Sequence, residues 1–227
     1  DKKFKINKKL VNSFINYSYI PSPNTILENV FKIEAGTTIE YDVDGNVNKN
    51  KYYDINKKAN DGLKNLDQDY ESIKEKLKYL IYDSVSKRMI ADVPLGCFLS
   101  GGIDSSLIAT IMSDISQDKI NTFTIGFKDY KYNETEDSKN LATYLKTNHY
   151  EYFPTKNDLL DVADNLNEIF DEPFGDLSQF PTAVLCKLVS RKATVALSGD
   201  GGDELFGGYN RYLIANTYWK YLNWFPA

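Results

Sequence analysis

The apolar positions of this chain change their spacing along its length, and each change marks an element. From residue 70 they fall at Tyr70, Ile73, Leu77, Leu80, Ile81, Val85 and Met89. Steps of three and four put these side chains on one face of a helix, which the pattern predicts to lie on a sheet. An apolar run over residues 93–99 then reads as a strand, and the pattern 107–112 as the start of a helix. Runs at 121–127, 149–153 and 194–197 read as three further strands. Helical stretches are expected at 136–146 and 159–170, and in a segment that Ser178 caps and Pro181 enters in its first turn. Strands alternating with helices of this length predict an α/β fold, a parallel sheet with helices on both faces. In such sheets ligands sit beyond the carboxyl ends of the strands.

The front of the chain has a different pattern. A short helix is expected over 9–19, stopped by Pro21 and Pro23. Residues 38–43 alternate as a strand does, Asp44-Gly45 is a hairpin turn, and 46–53 return as its partner. Residues 1–57 therefore read as a small β remnant. Residues 58–68, within the polar run 56–68, read as a linker, and 69–227 as the main domain.

Charge and composition narrow the function. Lys and Arg number 27 against 32 Asp and Glu, a formal charge of −5, so the chain is a poor candidate for coating nucleic acid. No apolar run approaches the length of a membrane span, and the first residues are not a secretory signal. Cys97 and Cys186 have no Cys or His partner at metal spacing and are expected to be buried core filling, which fits a reducing cytoplasm. The chain starts without Met and ends in an aromatic-rich amphipathic stretch, and reads as a piece of a longer protein.

Two loops carry the candidate chemistry. Leu99-Ser100-Gly101-Gly102-Ile103-Asp104-Ser105-Ser106 joins the first strand to its helix. Such a turn aims backbone N–H groups and the hydroxyls of Ser100, Ser105 and Ser106 at one small volume, where the helix N-terminus favours an anion such as a pyrophosphate. It has no phosphate-loop lysine; Asp104 stands there instead, and a carboxylate beside phosphate calls for a bridging cation. After the strand at 194–197 comes Ser198-Gly199-Asp200-Gly201-Gly202-Asp203-Glu204-Leu205-Phe206-Gly207-Gly208-Tyr209. If both loops lie at the same sheet edge, Asp104 and Asp203 each supply one carboxylate to Mg²⁺, whose other ligands come from phosphate oxygens. Asp200 and Glu204 are left to move protons on an incoming amine or to hold a substrate ammonium.

These motifs resemble the synthetase domain of the glutamine-hydrolysing asparagine synthetases. The first loop is similar to the pyrophosphate loop of the wider ATP pyrophosphatase group, which is Rossmann-like. The second loop resembles the asparagine synthetases more specifically, as do Asp171-Glu172-Pro173-Phe174 with Asp176 and Ser178, and the front segment from Tyr19 to Ile26. The resemblance implies a nucleotide site of the adenine nucleotide alpha hydrolase type, with ATP and Mg²⁺ as cofactors. In it Leu99, Ile125 and Gly126 line the adenosine, Ser198 and Gly199 bound the nucleotide, and Asp200 handles protons on attacking ammonia. It implies aspartate and glutamine-derived ammonia as substrates, a cytoplasmic setting and a homodimer. It also makes residues 1–57 the end of a glutaminase domain whose N-terminal cysteine this chain does not contain, so no glutamine hydrolysis is expected from it. The synthetase domain is expected to continue beyond Ala227, leaving the fragment inactive alone.

Other readings compete. A relative that activates a different carboxylate, such as a peptide, a sugar acid or a β-amino acid that cyclises to a lactam, would carry the same loops. A nucleotide-binding relic has no need of Asp104 and Asp203, and tRNA thiolation lacks its cysteine pair. His149 reads as structural. Glu134 and Glu136 read as helix-start carboxylates, and the tyrosines as core and interface.

Overall fold

The computed structural model describes residues 4–64, 66, 69–127 and 135–222. Its strands are β1 (Thr37–Tyr41), β2 (Val47–Lys51), β3 (Leu95–Phe98), β4 (Asn121–Ile125), β5 (Asn148–Tyr152) and β6 (Val195–Leu197). Its helices are α1 (Val11–Tyr17, entered by a 3₁₀ turn), α2 (Ile55–Lys64), α3 (Tyr70–Arg88), α4 (Ile103–Ile115) and α5 (Thr135–Tyr144). They continue as α6 (Lys156–Asp164), α7 (Leu166–Ile169), α8 (Gln179–Val189), α9 (Gly202–Phe206) and α10 (Asn210–Leu222). The chain groups into two compact units, one of Asp1–Lys76 with Leu160–Phe180, the other of Leu77–Leu159 with Pro181–Ala227.

The second unit is the α/β sheet expected. β5, β4, β3 and β6 lie side by side in that order, all parallel. Alternate side chains along each strand face opposite sides, which splits the core in two. Cys97, Leu99 and Leu197 pack with Val85 of α3, Ala109, Ile111 and Met112 of α4, and Ala142 of α5. Phe98, Phe123 and Ile125 point the other way, against Leu185 and Val189 of α8. Phe123 is fully buried and stacks on Tyr150 with ring centroids 5.4 Å apart.

In the first unit, β1 and β2 form the antiparallel hairpin, with Tyr41 opposite Val47 across the Asp44-Gly45 turn. Asp42 closes that turn, accepting from the N–H groups of Asp44 and Asn46 at 2.9 and 2.8 Å. Glu172 ties the later segment to the earlier one. It pairs with Lys32 and accepts from the Ile26 N–H at 3.2 Å, while Gly175 donates to the Ser18 carbonyl at 2.6 Å.

Four local expectations are revised. The polar run is helical as far as Lys64, as α2. The stretch 159–170 is two helices, because the Asn165 side chain donates to the Asp161 carbonyl at 2.7 Å and competes with the helical ladder. On α3 only the C-terminal half packs on the core, through Ile81, Tyr82 and Val85, with Met89 just beyond its end, while Tyr70, Ile73, Leu77 and Leu80 are exposed. Cys186 is exposed, since α8 buries Val184, Leu185 and Val189 and turns the intervening position outward. Cys97 is core filling as expected, and burial pushes its thiol up to about 12.

Candidate active site

β3 delivers its loop to the carboxyl edge of the sheet, and β6, its neighbour, delivers the second. Leu99 ends the strand inside the core, its N–H on the Phe123 carbonyl at 2.8 Å and its carbonyl accepting from Thr124 Oγ1. The turn that follows is stiffened from within. Ser105 Oγ accepts from the Ser100 N–H at 3.1 Å, lies 2.9 Å from Ser100 Oγ, and donates to the Gly102 carbonyl at 3.2 Å. That uses the full capacity of one hydroxyl, so the buried Ser105 binds the loop together. Ser100 Oγ also accepts from the Gly102 N–H at 3.3 Å. Gly102 precedes α4 without a side-chain cap, which leaves the first-turn N–H groups of Ile103, Asp104 and Ser105 without an intrahelical acceptor. Asp104 stands in that same turn, half-buried.

The second loop presses directly on the first. A side chain at Gly199 would place its Cβ 2.7 Å from the Ser105 nitrogen and 2.9 Å from the Asp104 carbonyl carbon. One at Gly202 would run into the Asp104 carboxylate, with Cγ 2.5 Å away. Between them Gly201 takes φ +91°, a left-handed conformation in open space. The loops that sequence places far apart are therefore in van der Waals contact, with Asp104 at the junction.

The other candidate residues are distributed as follows. Asp203 opens α9, and its carboxylate lies against Gly208. Asp200 is exposed, and Ser198 donates to its Oδ2 at 3.0 Å. Glu204 accepts from the Tyr209 hydroxyl at 2.6 Å, a bond that holds its carboxyl below the ordinary carboxylate range. Tyr209, read with the other tyrosines as core or interface, is instead the partner of Glu204; the signal available in sequence is the Gly207-Gly208 pair before it, which lets the chain fold back. Ser106 is half-buried and makes the first helical bond of α4, to the Gly102 carbonyl at 3.0 Å. Ile125 packs beside Phe123. Gly126 is buried where a Cβ would meet Phe153 and Thr135, and its N–H donates to the Tyr152 carbonyl at 2.8 Å. Glu136 lies in the first turn of α5, exposed, and Glu134 falls outside the described residues.

Among the described residues no cluster of three or more His, Cys, Asp or Glu side chains is arranged to hold a metal ion. Asp104, packed where even a methyl group is excluded, is a hard oxygen donor beside helix-start N–H groups that lack an intrahelical acceptor. Such a donor suits a hard divalent cation that completes its shell with phosphate oxygens and water. Among the described residues, no helix is long and apolar enough to cross a membrane.

Fold and site together define an α/β domain of the parallel, doubly covered class, with paired glycine-rich turns meeting at the carboxyl edge of adjacent strands. Residues 76–227 match the family model described as asparagine synthase. The chain belongs to that family. A Methanocaldococcus jannaschii protein bearing the name of a glutamine-hydrolysing asparagine synthetase 2 is 40% identical over 221 residues, 94% of this chain and 40% of its own length. Asparagine synthetase 1 of Bacillus subtilis, also named as glutamine-hydrolysing, is 32% identical over 207 residues, 91% of this chain and 32% of its own. The chain thus spans well under half the length of these relatives. Among solved structures, an ammonia-dependent NAD synthetase from Campylobacter jejuni shows a slight likeness, at TM-score 0.39 and 18% identity, covering 63% of this chain and 62% of that one.

Proposed function

We propose that the protein carrying this chain is an ATP-dependent ligase that makes asparagine from aspartate and glutamine-derived ammonia. The observation that carries the reading is the contact of the two loops at Asp104. One small volume there combines the uncapped N-terminus of a helix, a carboxylate and a second glycine-rich turn, which suits a triphosphate chain. Family membership and the names of the relatives support asparagine as the product and glutamine as the source of ammonia.

In this reading the side-chain carboxylate of aspartate attacks the α-phosphorus of ATP. An O–P bond forms to give an acyl-adenylate, and pyrophosphate leaves. Residues 100–106 hold the pyrophosphate through the backbone N–H groups at the start of α4. Asp104 and Asp203 would hold Mg²⁺, which supplies charge neutralisation for the departing phosphates when bound. Asp200, steadied by Ser198, takes a proton as ammonia attacks the acyl carbon and AMP is released. Stabilising the charge that builds on the leaving group carries most of the rate, and positioning the two reactants carries the rest. Cytoplasmic location and a homodimer belong to the same proposal. So does the inactivity of the isolated 227 residues, which span 32–40% of the relatives' length.

The test is product analysis on the natural protein that carries this chain. AMP and pyrophosphate form in equal amounts, dependent on aspartate, and Asp104→Asn lowers the rate by about 10²-fold or more. Formation of ADP and phosphate refutes the reading. If aspartate is inert and another carboxylic acid drives AMP release, the substrate assignment gives way to that acid.

A further inference from the structure

Glu204 is held by a device that nucleotide binding does not require. α9 is left through Gly207 at φ +68°, and the Gly208 N–H returns to the Asp203 carbonyl at 3.0 Å. Gly208 has no room for a side chain, because Asp203 Oδ1 occupies the position of its Cβ. The double glycine turns the chain back over the helix it has just left. Tyr209 then reaches Glu204 five residues behind it, at 2.6 Å, in the short range of an O–H donor on an ionised oxygen. The ring is fixed from another direction. Arg211, in the first turn of α10, lays its guanidinium 4.2 Å from the Tyr209 ring centroid and 5.5 Å from that of Tyr212. The Tyr209 hydroxyl is pushed up to about 12 by its bond to Glu204, so it remains a donor throughout the working pH range.

An exposed carboxylate aimed by a short hydrogen bond from a fixed ring is suited to a cationic group of defined position. The acid substrates open to this family of sites differ in that respect. A free α-amino acid brings an ammonium group close to its reacting carboxylate, whereas a sugar acid or an N-acylated peptide acid does not. Resting on the ligase reading, we infer that Tyr209 is a positioning residue that fixes Glu204 to receive the ammonium group of an α-amino acid substrate. Arg211 holds the Tyr209 ring in place. The preference for aspartate over an acid of the same chain length without the amine then comes from this pair.

The experiment measures AMP release by the natural protein with aspartate and with succinate, which lacks the ammonium. Wild type, Tyr209→Phe and Glu204→Gln are compared by the ratio of kcat/KM for the two acids. That ratio is independent of how much of each variant is folded. Both variants are expected to lose about tenfold or more of the wild-type preference, from the loss of one charge-assisted contact. KM for aspartate rises while KM for ATP stays within about twofold. An unchanged aspartate-to-succinate ratio in both variants, even with a lowered melting temperature, overturns the inference and leaves Tyr209 as a staple of the α9–α10 turn. If the wild type releases no AMP with any acid, the ligase reading fails and this inference falls with it. If AMP is released but the ratio is unmoved, the reading stands and only the inference fails.

Discussion

Replacing Gly199 by alanine drives a methyl group into the first turn of α4. The new Cβ would lie 2.7 Å from the Ser105 nitrogen and 2.9 Å from both the carbonyl carbon and the Cβ of Asp104. Non-bonded carbons rest at about 3.5–4.0 Å, so the two loops must part by about 1 Å. Neither side can yield cheaply. The obstructing atoms are backbone or rigidly attached to it, and the Ser105 bonds to Ser100 and Gly102 brace that turn. Overpacking of this kind costs about 1–3 kcal/mol. With a urea slope of about 1–3 kcal/mol per molar, the midpoint falls by roughly 1 M. The control is Gly201, which has open space around it but φ +91°. There alanine costs about 1–2 kcal/mol for conformation alone, and asparagine, which tolerates that region, recovers part of the loss. At Gly199 asparagine is worse than alanine, because the obstacle is steric. Urea unfolding followed by circular dichroism reads all four variants. In the natural protein, an opening of this size at the phosphate loops lowers AMP formation by about 10²-fold. A wild-type midpoint for Gly199→Ala, or asparagine rescuing position 199 and failing at 201, refutes the claim that the loops are in contact.

Two further outcomes are expected. His149 is the chain's single histidine. Its Nδ1 lies 2.9 Å from Thr122 Oγ1, and its buried Nε2 has no hydrogen-bond partner. Burial lowers its pKa, outweighing the opposing effect of Glu151, and Lys139 adds to the lowering. Between that lowered value and the ordinary 6.5 the unfolded chain binds more protons, so stability is lost as pH falls below about 6.5. An imidazole NMR titration with its midpoint at or above 6.5 would contradict this, and His149→Gln flattens the acid side of the stability profile. Separately, Glu172→Ala removes the partner of Lys32 and the acceptor of the Ile26 N–H, and costs about 1–3 kcal/mol. The measurement is limited proteolysis of the first unit, and an unchanged cleavage rate rules out a tethering role for Glu172.

How much of this was legible depended on whether a feature is periodic or singular. The sheet was readable because apolar alternation is imposed by the pleat: Cys97 and Leu99 had to face one layer and Phe98 the other. The same periodicity says which residues of α3 share a face but not what covers that face, so Tyr70 and Ile73 looked as buried as Val85. The break at Asn165 was invisible because apolar spacing runs through it, while the interruption is a single side-chain bond to the Asp161 carbonyl. Cys186 was misplaced by one position on a helix whose buried stripe is narrow.

The site divides along the same line. That two remote loops meet follows from topology, since adjacent parallel strands deliver their exits to one edge. Which atom of each loop does what does not follow, because glycine is one letter for several requirements. In the second loop Gly199 and Gly202 are glycine to let Asp104 approach, and Gly201 to take a left-handed turn. Gly208 is glycine because the Asp203 carboxylate fills the place of a side chain, and with Gly207 it sends Tyr209 back onto Glu204. Steric and conformational demands respond differently to the same substitution. A glycine-rich motif is therefore better decoded by alanine–asparagine pairs at each position than by the count of its glycines.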